Sequence, residues 1–119
     1  MANLLKETLE ILKEHGKTPR DVEWVGSKEW GWFTWEDFEK IADIEYDNGY
    51  GAQEIAEDLL VVGKDWWLTR EEYDGSEWWQ FNQIPQKPKE YRVPPYLSVG
   101  QVNLIGWKSL IEINEGGIK

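Results

Sequence analysis

Leu59-Leu60-Val61-Val62-Gly63-Lys64-Asp65-Trp66-Trp67-Leu68-Thr69-Arg70-Glu71-Glu72-Tyr73-Asp74-Gly75-Ser76-Glu77-Trp78-Trp79-Gln80-Phe81-Asn82-Gln83-Ile84 decides the fold. β-Branched and aromatic residues dominate three runs, and turn pairs separate them. Leu59–Val62 reads as a buried strand and Gly63-Lys64 as a two-residue hairpin turn. Asp65–Tyr73 is the next strand, Asp74-Gly75 a second tight turn and Ser76–Ile84 the third strand. Turns of that length fix the register. Val61 is expected to face Trp66 and Leu59 to face Leu68; across the second turn Leu68 faces Phe81 and Arg70 faces Trp79. Facing residues share a side of the sheet, so Leu59, Val61, Trp66, Leu68, Trp79 and Phe81 collect on one core face. A one-residue slip in the pairing would scatter them. The other face carries Leu60, Val62, Trp67, Thr69, Glu71, Tyr73, Trp78, Gln80 and Asn82. Being half apolar, it calls for cover by the first helix, by the C-terminal segment or by a partner.

Upstream, residues 3–15 read as a helix with a stripe of Leu4, Leu5, Thr8, Leu9, Ile11 and Leu12, stopped by Gly16 and Pro19. Val22–Val25 and Trp30–Phe33 flank a Gly26-Ser27-Lys28 turn and read as a strand pair. Thr34 is placed to cap a second helix, with Glu36 and Asp37 in its first turn and Trp35, Phe38, Ile41 and Ala42 on its buried side. That helix is expected to fail near Tyr46-Asp47-Asn48-Gly49, with a further helical turn over Gln53–Glu57. Downstream, Pro85, Pro88, Pro94 and Pro95 mark a semi-rigid connection over 85–96. The return segment, 97–119, follows; it is apolar again from Leu97 to Ile113 and is read as returning to the domain as a strand and a helical turn. The fold expected is α+β: an antiparallel meander sheet of three to five strands packed with two main helices. It forms one domain, with an N-terminal helix (1–16), a core of helix and sheet (20–84), the connection and the return segment.

Composition narrows the function. The chain has 119 residues, 40% of them apolar, with nine Trp, which suits one packed core and argues against a disordered acidic tail. Thirteen Lys and Arg stand against 23 Asp and Glu, a net charge of −10. Such a field repels phosphate backbones and anionic membranes and attracts basic surfaces. Neither direct nucleic-acid binding nor membrane binding is expected. With no Cys there is no disulfide, thiol nucleophile or zinc–thiolate site. The opening residues lack a basic stretch followed by an apolar one, so the expected compartment is the cytoplasm.

Few constellations carry chemistry. His15, the one histidine, stands at a helix C-terminus, where a positive side chain is favoured for structural reasons. Asp43–Glu54 places oxygen side chains at positions 1, 3, 5 and 12 of a calcium-type loop. However, Asn48 stands where glycine is needed, and Ile44 and Tyr46 occupy polar positions. An acidic turn is the better reading, and no metal or other cofactor is expected. Glu72 and Glu77 should face each other across the second hairpin, a repulsive pair unless a basic partner, Lys64 or Arg70 relieves it. Of the Trp residues, Trp66, Trp79 and Trp35 go to the core, leaving Trp67, Trp78 and Trp30 or Trp32 free.

Three segments are Tyr50-Gly51-Ala52-Gln53-Glu54-Ile55-Ala56, Asp58–Leu68 and Glu72-Tyr73-Asp74-Gly75-Ser76-Glu77-Trp78-Trp79. Together with Val22-Glu23-Trp24-Val25-Gly26 and Trp107-Lys108-Ser109-Leu110, they resemble small acidic phage and prophage proteins of Gram-positive (Firmicute) bacteria. The resemblance implies a phage origin and expression in the host bacterial cytoplasm, and carries over no functional residues. With the charge, it leads to an expected inhibitor of a host defence nuclease, of anti-CRISPR type, acting as monomer or small homo-oligomer. Its carboxylates would occupy a basic nucleic-acid groove. The expected contact residues are Glu36, Asp37, Glu39, Trp67, Glu71, Glu72, Tyr73, Asp74, Glu77 and Trp78. Two alternatives are a sugar- or nucleotide-binding module using exposed Trp and a carboxylate metal-dependent hydrolase.

Overall fold

The computed structural model describes residues 1–49 and 51–115. The chain divides into two compact units, Met1–Pro85 and Gln86–Lys119, and the division falls at the start of the proline-rich connection.

In the first unit, the two-residue strand β1 (Ala2–Asn3) leads into α1 (Leu4–Glu14). Asn3 caps α1 by accepting from the Lys6 amide at 3.0 Å. A 3-10 turn (Pro19–Asp21) precedes the hairpin of β2 (Trp24–Ser27) and β3 (Gly31–Phe33). Next come α2 (Trp35–Ile41), the short β4 (Glu45–Tyr46), and then β5 (Leu60–Val62), β6 (Trp66–Tyr73) and β7 (Ser76–Gln83). The main sheet is antiparallel in the order β3-β2-β5-β6-β7, while β1 and β4 pair separately. This is the α+β architecture expected. Gln53–Glu57 forms no helical turn.

The second hairpin has the register read from sequence: Leu68 faces Phe81, Arg70 faces Trp79 and Glu72 faces Glu77. Asp74 (φ 49°) and Gly75 (φ 87°) supply the two left-handed residues that such a turn needs. The first hairpin differs. Val61 pairs with Leu68 rather than Trp66, and Val62 with Trp67. Gly63 donates to the Trp66 carbonyl at 2.9 Å, so Lys64-Asp65 forms the tip. Moving a turn by one residue displaces the pairing by two and leaves every side chain on its face. The core face therefore survives: Val61, Trp66, Leu68 and Trp79 are buried, with Leu59 and Phe81 half-buried against them.

Both helices pack on this face. Leu4 and Leu12 of α1, and Trp35 and Phe38 of α2 with Ala42 just beyond it, join Val25, Val61 and Leu68 in one cluster. The buried Thr8 hydroxyl donates to the Leu4 carbonyl at 2.7 Å and accepts from the Trp79 indole at 2.9 Å. Thr8→Val keeps the shape but strands that indole N–H. A loss of about 1–3 kcal/mol in chemical denaturation is expected.

One expectation is corrected. Ile41 is not on the buried side of α2; it is 64% exposed. Trp35, Phe38 and Ala42 fill the inward arc, and at 100° per residue Ile41 lies about 60° outside it. α1 packs Leu4, Thr8 and Leu12 on the core face, and it borders the opposite, outer face at Trp78, which shares a depression with Glu7, Glu10, Ile11 and Glu14.

In the second unit a 3-10 turn (Val99–Val102) is followed by α3 (Leu110–Asn114), capped by Ser109. The strand expected after Pro95 does not form among the described residues. Asn114 ties this unit together, accepting from the Tyr96 amide at 3.0 Å and donating to the Tyr96 carbonyl at 3.0 Å.

Candidate partner-binding surface

Two adjoining features of the first unit offer recognition chemistry: the tip of the β6–β7 hairpin and the outer face of the sheet. Their placement depends on a buried polar node. The Arg70 guanidinium donates through Nη2 to Glu77 Oε1 at 2.8 Å and to the Tyr46 hydroxyl at 3.1 Å. It lies 4.8 Å from the Trp79 ring centroid and 5.8 Å from that of Tyr46. Its Nε and Nη1 are buried without a hydrogen-bond partner among the described residues, so contact with the two aromatic faces offsets part of their desolvation. Glu77 accepts from the Glu54 amide at 2.7 Å and the Ile55 amide at 3.3 Å, and its own amide donates to Asn48 at 2.9 Å. One residue therefore ties Asn48, Glu54 and Ile55 to the hairpin, the last two through its carboxylate.

This placement corrects the inclusion of Glu77 among accessible contact residues: it is 4% exposed and already paired. The Glu72–Glu77 opposition is relieved from within, by Arg70, so it is not a signal of a partner. Sequence carried the clue, because Arg70 and Glu77 lie two residues apart in register on the core face.

Tyr46 completes the node by donating to Glu7. Burial, reinforced by that bond and opposed by Arg70, pushes its phenol up to about 12. An unfolded tyrosine ionises near pH 10. The stability conferred by the neutral phenol is therefore fully present below about pH 10 and disappears as pH rises through about 12. Tyr46→Phe is expected to lose this alkaline component, measured as a shallower fall in urea stability across that window.

The remaining expected contact residues, all exposed except the half-buried Trp67, fall in four places. Glu71, Tyr73 and Trp78 share the outer face, with Glu71 opposite Trp78; Glu72 points to the other side, and Asp74 forms the tip. Glu71, Glu72, Tyr73 and Asp74 are exposed, and Trp78 is 39% exposed. Glu72 accepts from the Gln53 amide group at 2.9 Å. Among the described residues no lysine or arginine forms an ion pair with Glu71, Glu72 or Asp74. Trp67 is half-buried within the outer face. Glu36, Asp37 and Glu39 lie on α2 and are exposed, but Asp37 closes a capping box with Thr34. The Thr34 backbone and hydroxyl bonds hold the Asp37 carboxyl below its usual range.

The outer face is more aromatic than the sequence reading allowed. Trp24, Val62, Trp67 and Asn82 form one continuous cross-strand row over β2, β5, β6 and β7. In the neighbouring row Trp32, 70% exposed, sits beside Gly26, which leaves its flank open. Trp24 was missed because its strand was not aligned with the meander; the β2–β5 pairing brings it there. A cleft of about 490 Å³ opens beside Trp24 and Trp32.

His15 and several acidic side chains of the calcium-type loop are engaged within the fold. His15 stacks on Phe81, with ring centroids 3.9 Å apart. Asp43 and Glu45 accept from the Asn3 side chain, and Glu54 from the Asp47 amide. Among the described residues no three acidic or histidine side chains converge on a metal position. No described helix is long and apolar enough to cross a membrane. Comparison with protein-family models, curated proteins and solved structures gave no match.

Proposed function

We propose that this chain is a phage-encoded inhibitory binding protein, acting in the host bacterial cytoplasm by occupying the basic nucleic-acid groove of a host defence nuclease of CRISPR type. The supporting observation is the hairpin: Glu71, Glu72 and Asp74 are exposed and, among the described residues, free of ion pairs, on a scaffold braced from below by Arg70 and Glu77. Rigid carboxylates pair with arginine and lysine that otherwise hold phosphates, and the −10 net charge steers the encounter. Trp78, opposite Glu71, supplies the apolar anchor that charge alone does not.

The test is DNA cleavage by a purified CRISPR effector from a Gram-positive host, with the chain added over a range of salt. Inhibition is expected to weaken as salt rises, and by at least about tenfold in the triple variant Glu71→Lys, Glu72→Lys, Asp74→Asn. Glu77 is left unchanged because its replacement is expected to destabilise the scaffold and so confuse loss of fold with loss of contact. Full inhibition by the triple variant would reject the hairpin surface, and no inhibition of the nuclease would reject the partner class.

A second reading has its own support in the outer face. Trp24, Trp32 and Trp67, with the amides of Gln80 and Asn82, form a neutral aromatic platform of the kind that stacks on sugar rings. That reading expects quenching of Trp fluorescence by an oligosaccharide, with little dependence on salt.

A further inference from the structure

α2 leaves an isoleucine over. Ile41 is 64% exposed and Ile44, just beyond the helix, 46%. Solvated aliphatic side chains are unremarkable singly, but these two line the same depression. A cavity of about 230 Å³ is walled by Ile41, Ile44 and Ile55 and floored by Phe33, Phe38 and Leu59. Phe33, Ala56 and Leu59 are shared with a second cavity of about 510 Å³, which continues to Trp30 and the β2–β3 turn. The two therefore form one elongated groove. Its apolar lining sits at the edge of the main core: Phe38 belongs to the core cluster, while Phe33, Ile55 and Leu59 are only half-buried against it.

Charge at the rim has one sign. Glu54 borders the first cavity, and Glu29 and Asp58 border the second. All three are exposed and form no ion pair among the described residues, and no lysine or arginine lines either cavity. An apolar trough edged by carboxylates complements a segment with aliphatic side chains on one side and cationic ones on the other. A second copy of this chain, at −10, would bring like charge to the rim.

We infer that this groove docks a positively charged amphipathic helix of a partner protein, with aliphatic anchors between Ile41, Ile44 and Ile55 and lysine or arginine against Glu29, Glu54 and Asp58. This surface is separate from the hairpin carboxylates and does not require the partner to be a nuclease.

The experiment uses the full chain and three synthetic peptides of about five helical turns: an amphipathic Leu/Lys helix, its Leu/Glu counterpart and a scrambled Leu/Lys sequence. Affinity is read by calorimetry and location by isoleucine methyl NMR. The Leu/Lys helix is expected to bind, to shift the Ile41, Ile44 and Ile55 methyl signals, and to weaken as salt rises. Ile41→Lys with Ile44→Lys is expected to cost at least about tenfold in affinity. Both positions are exposed, so the fold should survive, which melting checks. Glu29→Lys with Asp58→Lys is a second variant expected to weaken binding without touching the aliphatic wall. Glu71→Lys with Glu72→Lys is expected to leave affinity within about twofold, which separates this groove from the hairpin. Equal binding by the Leu/Glu or scrambled peptide, unchanged affinity in both groove variants, or methyl shifts confined to other residues would overturn the inference.

Discussion

Glu77→Ala is expected to destabilise the N-terminal unit by about 3–5 kcal/mol, enough to consume much of an ordinary domain's stability. The loss has two sources. Arg70, whose side chain is 4% exposed, would retain its charge with no carboxylate beside it, and two of its nitrogens already lack partners. The Glu54 and Ile55 amides would lose the acceptor that holds them against the hairpin. A denaturation series on Glu77→Ala, Arg70→Met and the double variant separates these contributions. Arg70→Met with Glu77→Leu replaces the ion pair by apolar groups and is expected to recover part of the loss. A loss below about 1 kcal/mol for Glu77→Ala would mean that the node is not the brace described.

That node matters for function because it sorts the acidic residues of the hairpin. Four carboxylates within seven positions (71–77) look interchangeable in a list, yet the two faces of a strand assign them different work. Glu77 faces inward and is structural; Glu71 faces outward and Asp74 sits at the tip, where a partner can reach them. Any charge-reversal experiment that includes Glu77 would confuse unfolding with loss of contact.

The legibility of the fold follows from what each local signal encodes. Asp74-Gly75 was readable because both residues take positive φ, a demand that the residue types announce. Gly63 was misread because its reason is packing: a Cβ there would lie 2.2 Å from the Trp66 indole. Nothing in a Gly-Lys pair distinguishes that cause from a turn. The core face was nonetheless recovered, since the misplaced turn preserved side-chain parity. Ile41 shows the reverse limit. Helical spacing marks it as apolar and roughly inward, but the width of the inward arc depends on what α2 packs against. The outer-face cluster was half legible: Trp67 and Trp78 lie in the meander, whereas Trp24 joins them only through a strand pairing across more than thirty intervening residues, which no local pattern encodes.

Gly26→Ala is the second large effect expected, a loss of about 3–5 kcal/mol, and it tests the sheet edge that carries the aromatic platform. Gly26 has φ 150°, and a Cβ built on it would stand 2.1 Å from the Gly31 carbonyl oxygen and 2.9 Å from the Trp32 Cα. Both obstacles are backbone, so no rotamer change relieves them. Backbone strain of about 1–3 kcal/mol adds to the overpacking cost of similar size. Gly31→Ala is the control: its φ is 128°, but nothing lies within 4 Å of its added methyl. Only the conformational part, about 1–3 kcal/mol, is expected there. The difference between the two variants measures the close approach of β2 and β3. If β3 instead moves aside, Gly26→Ala should lose little stability while Trp32 changes its fluorescence, since the Gly26–Trp32 pairing places that indole over the glycine's row. Equal losses at both glycines with unchanged Trp32 emission would contradict the close approach and, with it, the open flank beside Trp32.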